Sequence, residues 1–158
     1  MIQWLIGLHA ALGEIGSISF LWVFVELLSP TPARAKRARW VSLIGLTFLL
    51  LSWIAGGAYY LTQYAIAVKP IINSGPSPWA HSIIMETKEH IFLFLPFIAF
   101  FIFVATTNLS QRLTDNKNER IGILMASGLL FLMGMSMAGM GYLISYAFRT
   151  SLEMGVIK

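Results

Sequence analysis

The chain has 158 residues, 57% of them apolar and only 11% charged, whereas a soluble domain carries about 25% charged residues. That composition and the absence of cysteine exclude a soluble globular enzyme, a disulfide scaffold, thiolate metal sites, iron–sulfur clusters and covalent c-type haem attachment. The net charge of +4 implies no nucleic-acid partner, because the basic residues sit mostly in two short connections with a topological meaning.

The apolar residues form four blocks, each near the ~20 residues that cross hydrocarbon. The sequence therefore predicts an all-α fold: an integral membrane four-helix bundle, one transmembrane domain over residues 1–158. The first span covers about residues 2–28. Its apolar run has no basic leader and is too long for the core of a signal peptide, so it is expected as a retained helix. Ser29-Pro30-Thr31-Pro32 ends it, since proline lacks an amide donor and biases its predecessor away from helix. The basic run Ala33 to Arg39 is expected as a loop, followed by a second span over about 40–68. Lys69 to Pro78, with three prolines and a glycine, predicts a turn region or short surface helix. The third span covers about 79–108. A polar loop from Gln111 to Arg120 precedes the fourth, about 121–148.

Seven of the eleven basic residues lie in the connections after the first and third spans: Arg34, Lys36, Arg37, Arg39, Arg112, Lys117 and Arg120. The positive-inside rule makes that side cytoplasmic. Both termini are then outside, N-out and C-out, in a bacterial or archaeal cytoplasmic membrane with the lipid bilayer as surroundings.

Polar residues concentrate in the outer half of this arrangement. His9 lies about seven residues inside the first span, roughly 10 Å deep at ~1.5 Å per residue. His90 lies at a similar depth on the third span, in the run Glu86-Thr87-Lys88-Glu89-His90. Glu14 follows His9. The second span contributes Gly56, Gly57, Tyr59, Tyr60, Gln63 and Tyr64. The fourth contributes a small-residue stripe, Gly134, Ala138, Gly141 and Ser145. Ionisable groups inside a bilayer cost ~2.5–3.5 kcal/mol each and usually face a bundle interior or cavity. At helical spacing His9 shares a face with Gly13 and Gly16, while His90 shares one with Phe94 and Phe97. Two imidazoles, glycines and aromatics are what a b-type haem in a bundle requires. The plainer reading of His9 is a hydrogen-bonded polar residue in the bundle. For His81, beside Trp79, it is an interfacial residue. The helix 4 stripe reads most simply as close packing, as do Met133, Met135, Met137 and Met140.

Leu8-His9-Ala10 early in helix 1, the basic connection, Ala55-Gly56-Gly57 late in helix 2 and Lys88-Glu89-His90 in helix 3 together resemble small four-helix membrane proteins. These are the HemJ-type protoporphyrinogen oxidases and the CopD-type copper-resistance membrane proteins. The resemblance covers most of the chain in topology and about ten residues in motif. It implies that His9 and His90 hold b-haem. The run Met85 to Glu89 and the segment Trp79-Ala80-His81 depart from those families.

The function expected from these observations is a membrane cytochrome b relaying electrons through one haem near the outer face. His9 and His90 are the expected axial ligands, and Gly13, Gly16 and Gly57 leave room for the ring. Tyr60 and its neighbours would bond propionates or a quinone, and Lys88 would neutralise a propionate. Expected partners are a quinone and other membrane or outer-face redox subunits. The alternatives are a metal-ion or small-solute transport subunit using Glu14, Glu86 and His90, and an accessory subunit without a cofactor.

Overall fold

The computed structural model describes residues 3–155. Helix α1 is Gln3–Leu28 and α2 is Pro32–Tyr59, continued by a π-helical stretch, Tyr60–Val68, and by α3, Lys69–Ser74. A second π-helical stretch, Ala80–Met85, leads into α4, Glu86–Asn108; the short α5, Arg112–Asp115, and the long α6, Lys117–Glu153, complete the chain. There is no strand among the described residues. Four helical rods are long and apolar enough to cross a membrane: Trp4–Leu28, Pro32–Ser74, Ala80–Asn108 and Lys117–Glu153. Expectations that rest on Ile2 and Lys158 lie outside the described residues.

Three boundaries differ from the sequence reading. The basic run Ala33 to Arg39 is helical, not a loop, because α2 starts at Pro32. The Thr31 hydroxyl accepts a hydrogen bond from the Arg34 amide at 3.2 Å, capping the helix. Pro32 occupies the first turn, where a missing N–H costs nothing. The prolines that end α1 therefore also begin α2. At the other end the second rod runs on through α3 to Ser74, so the segment from Lys69 takes the helical form of the two expected for it. Asn116 starts α6 by accepting from the amides of Asn118 and Glu119 at 3.0 and 3.3 Å, which lengthens that rod past the expected 121–148.

The connections after α1 and after α4 meet at one end of the bundle, where Leu27, Ala38, Ala105 and Leu113 share a core with Phe20, Leu95, Ile102 and Leu130. That is the basic end. At the opposite, tyrosine end, Tyr64, Val68, Ile72, Ala80, Ile144 and Ala147 form a second cluster. The distribution of side chains is inverted relative to a water-soluble bundle. Small and hydroxyl side chains such as Ser17, Ser42, Ser52, Ser127 and Ser151 are buried. Large apolar ones such as Ile54, Leu61, Phe97 and Leu132 are at least 65% exposed. Small residues inside allow helix backbones to approach closely.

That approach is tightest between α1 and α2. A Cβ on Gly16 would stand 2.9 Å from Leu49, one on Gly45 would stand 2.7 Å from Phe20, and one on Gly56 would stand 2.6 Å from the His9 ring. Moving up α1 from Phe20 through Gly16 and Gly13 to His9 moves along α2 from Gly45 through Leu49 and Ser52 to Gly56 by equal steps, so one antiparallel register holds throughout.

A buried carboxylate closes the hairpin at the basic end. Glu26 is only 6% exposed. It accepts from Trp22 Nε1 at 2.9 Å, from Arg34 Nε at 2.9 Å, and from Arg37 Nε and Nη2 at 2.9 and 3.0 Å. Arg34 also donates to the Val25 carbonyl at 2.7 Å, satisfying a group that the end of α1 leaves without a helical donor. Glu26→Ala removes the acceptor shared by both guanidiniums. It should lower stability by about 1.5–3 kcal/mol, the range for hydrogen bonds to a charged partner. Thermal unfolding of purified protein in detergent would show a lower midpoint for Glu26→Ala and an unchanged one for Lys36→Ala, whose side chain makes no such contact.

Candidate functional site

The cavity lies between α1, α4 and α6 toward the tyrosine end, and has a volume of about 310 Å³. Helix α6 opens it with its stripe of small residues: Gly134, Ala138, Gly141 and Ser145 all line it. The stripe therefore serves the groove as well as packing. Its deeper end is closed where Ser17 presses against Gly134, whose missing side chain the serine replaces. From α1 come His9, Gly13 and Glu14, from α2 Leu49 and Ser52, and from α4 Lys88, Phe92 and Leu95. Helix α4 passes the site just before Pro96. Proline has no N–H, so the Phe92 carbonyl loses its usual helical donor beside the cavity.

His9 is held by Ser52. Its Nδ1 is 2.9 Å from the Ser52 carbonyl and 3.0 Å from the Ser52 hydroxyl, which in turn donates to the His9 carbonyl at 2.9 Å. A carbonyl can only accept, and two acceptors at 2.9 Å would repel. Nδ1 therefore carries the proton and Nε2 keeps its lone pair. Nε2 has no protein partner among the described residues. The ring meets Phe92 edge-on, with centroids 5.7 Å apart and planes at 86°.

Lys88 brings a cationic side chain into the cavity. It sits about eight residues into the third rod, roughly 12 Å along it. Its Nζ lies 3.2 Å from where a Cβ on Gly141 would stand, so that glycine makes room for the ammonium. Lys88 has no ion pair or hydrogen-bond partner among the described residues. Arg149 lines the same cavity nearer the tyrosine end, and Glu14 is the single carboxylate in the lining.

The remaining residues singled out in the sequence fall elsewhere. His90 is exposed and outside the cavity, its Nδ1 donating to the Glu86 carbonyl at 2.6 Å. Phe92 faces His9, and two residues of α-helix turn the chain about 200°, so His90 points away from His9. The two imidazoles therefore do not face one another within one chain. Matched depth along two helices gave no information about rotation. Gly13 lines the cavity beneath Ser52, but Gly16 is covered by Leu49, and Gly57 is exposed with nothing near it. Gly56, not Gly57, accommodates His9.

Tyr60 belongs to a separate cluster. It stacks on Tyr64 with centroids 5.4 Å apart. The Tyr64 hydroxyl is 3.2 Å from Nδ1 of the buried His81, whose Nε2 is 3.9 Å from Glu86. His81 is thus a core residue joining the two π-helical stretches. Glu86 and Glu14 lie on different sites, and no group of three or more histidine, aspartate or glutamate side chains could hold a metal ion among the described residues. Sequence reasoning passed over Ser52, Ser17 and Arg149. Only the small-residue stripe of the fourth span, now α6, pointed to their neighbourhood.

No protein-family model matches this chain, and no curated protein and no solved structure matches it.

The glycines separate into packing and open positions, and substitutions should reveal this. Gly16→Leu and Gly56→Leu should reduce the monodisperse fraction on size-exclusion chromatography severalfold, because overpacking costs about 1–3 kcal/mol. Gly57→Leu should leave it unchanged. Equal behaviour of all three would contradict the assigned α1–α2 register.

Proposed function

We propose that this chain is an integral membrane protein that binds a small solute in the cavity between α1, α4 and α6, as a binding or transport subunit. The observation that carries this is Lys88. A lysine placed that far along an apolar span is costly, and here no group among the described residues pairs with it. A ligand or solvating water in the cavity accounts for its retention. His9 and the small stripe of α6 support the same reading, the one by offering an unpaired Nε2 and the other by supplying the space. Of the transport residues expected from the sequence, Glu14 belongs to this site.

The orientation proposed is the one from the positive-inside rule, with the basic end cytoplasmic and the cavity in the outer half of the bilayer. The chain lacks cysteine, so single-cysteine variants report accessibility without background. Glu153→Cys should react with an impermeant maleimide in intact cells, and Asn118→Cys only after lysis. The reverse pattern would place the cavity on the inner side.

A second reading is favoured by one feature of His9. Its tethered Nδ1 and free Nε2 are the state in which histidines ligate metals. Electron relay through a b-type haem then rests on His9 without His90. One sample tests both readings. Protein released from native-lipid particles into a mass spectrometer should carry a small-molecule adduct that Ala138→Trp, which fills the groove, abolishes. A wild-type protein without any adduct would count against the solute reading. A reduced-minus-oxidised spectrum with b-type bands, lost in His9→Ala and kept in His90→Ala, would decide for haem; a featureless spectrum discards it.

A further inference from the structure

The shape of the cavity mouth specifies more about the ligand. On α1 the exposed lining residues are Ile6, Ala10 and Glu14, spaced every fourth residue along one edge. On α6 they are Tyr142 and Arg149, seven residues apart on the facing edge. Gly13 and Gly141 lie deeper and are only half exposed, and Ser17 is buried. The mouth is therefore a slot parallel to the helix axes, about 12 Å long on α1 and about 10 Å on α6 at ~1.5 Å per residue. Its rim runs within two rods apolar enough to cross a membrane, beside outward-facing Ile18, Leu143 and Tyr146.

Both cations of the lining, Lys88 and Arg149, lie toward the tyrosine end with Ser145 and Ile6, whereas Leu49, Leu95 and Met137 line the part nearer Ser17, with Glu14 at its exposed edge. The two cations outnumber the one carboxylate, Glu14. At 310 Å³ the space is at the small end of ligand pockets and suits one hydrocarbon chain better than two.

We infer that the ligand is a single-chain amphiphile with an anionic head, passing sideways from the bilayer between α1 and α6, its head on Lys88 and its tail toward Leu49, Leu95 and Met137. This rests on the solute-binding reading above. It adds the charge, the form and the route of the ligand.

The test uses the full chain in phosphatidylcholine nanodiscs with tritiated oleate as the probe. Saturable binding is expected, competed by unlabelled oleate but not by oleylamine, oleyl alcohol, butyrate or dioleoyl phosphatidylglycerol. Lys88→Gln should weaken it about tenfold or more, while Lys88→Arg and the distant Lys36→Gln retain it, each variant being checked for a monodisperse peak. If butyrate competes as well as oleate in a Lys88-dependent manner, the amphiphile inference fails and the solute site stands. Competition by phosphatidylglycerol equal to that by oleate overturns the single-chain assignment. Oleate uptake that is non-saturable and indifferent to Lys88→Gln overturns this inference. It leaves the solute reading to the adduct measurement, which needs no anionic probe.

Discussion

The close antiparallel contact of α1 with α2 is the constraint on which the rest depends. It places glycine opposite a large side chain three times: Gly16 under Leu49, Gly45 under Phe20 and Gly56 under His9. A side chain on any of these glycines would push the helices apart. At the basic end the Glu26 carboxylate, shared by Arg34 and Arg37, closes the hairpin on its short connection. The same register delivers Ser52 to His9. The tautomer of the one histidine in the cavity therefore follows from how two helices pack, since a turn's slip of α2 would remove the carbonyl that holds Nδ1.

The other side of the bundle is built differently. Helix α6 meets α1 through Gly134, Ala138, Gly141 and Ser145, and only at Gly134 does α1 fill the space, with Ser17. Above that point small residues leave a gap that the other helices do not close. Lys88 reaches into it because Gly141 yields the room. Glycines thus do opposite things in one molecule: Gly16, Gly45 and Gly56 let α1 and α2 close on one another, whereas Gly141 leaves room beside the cavity.

The π-helical stretches Tyr60–Val68 and Ala80–Met85 flank the turn at the tyrosine end. Each widens the helix by changing the hydrogen-bond partner, which reorients side chains relative to a regular α-helix. Tyr64 and His81 lie in these stretches and meet in the core. This explains why residues that a regular periodicity would distribute around two helices converge in one cluster, and why His81 is a buried hydrogen-bonding residue and not an interfacial one.

Four helical rods, their approximate ends and the gathering of polar residues toward one end were legible in the sequence, because each depends on composition along a single segment. Twenty apolar residues are long enough to cross hydrocarbon whatever their neighbours do, whereas the Asn116 cap that starts α6 earlier lay unread in the polar connection. The cavity was legible only as a stripe on the fourth span, α6, since a groove requires two faces and the sequence displays one at a time. Rotation about the helix axis was not legible at all. His9 and His90 have comparable depth, yet only the packing of Phe92 against His9 turns His90 away. Lys88, two residues before His90, turns inward for the same reason. Depth along a helix is a property of the segment, whereas the direction in which a side chain points is settled by which neighbouring helix its face meets, and that was decided by the tertiary structure alone.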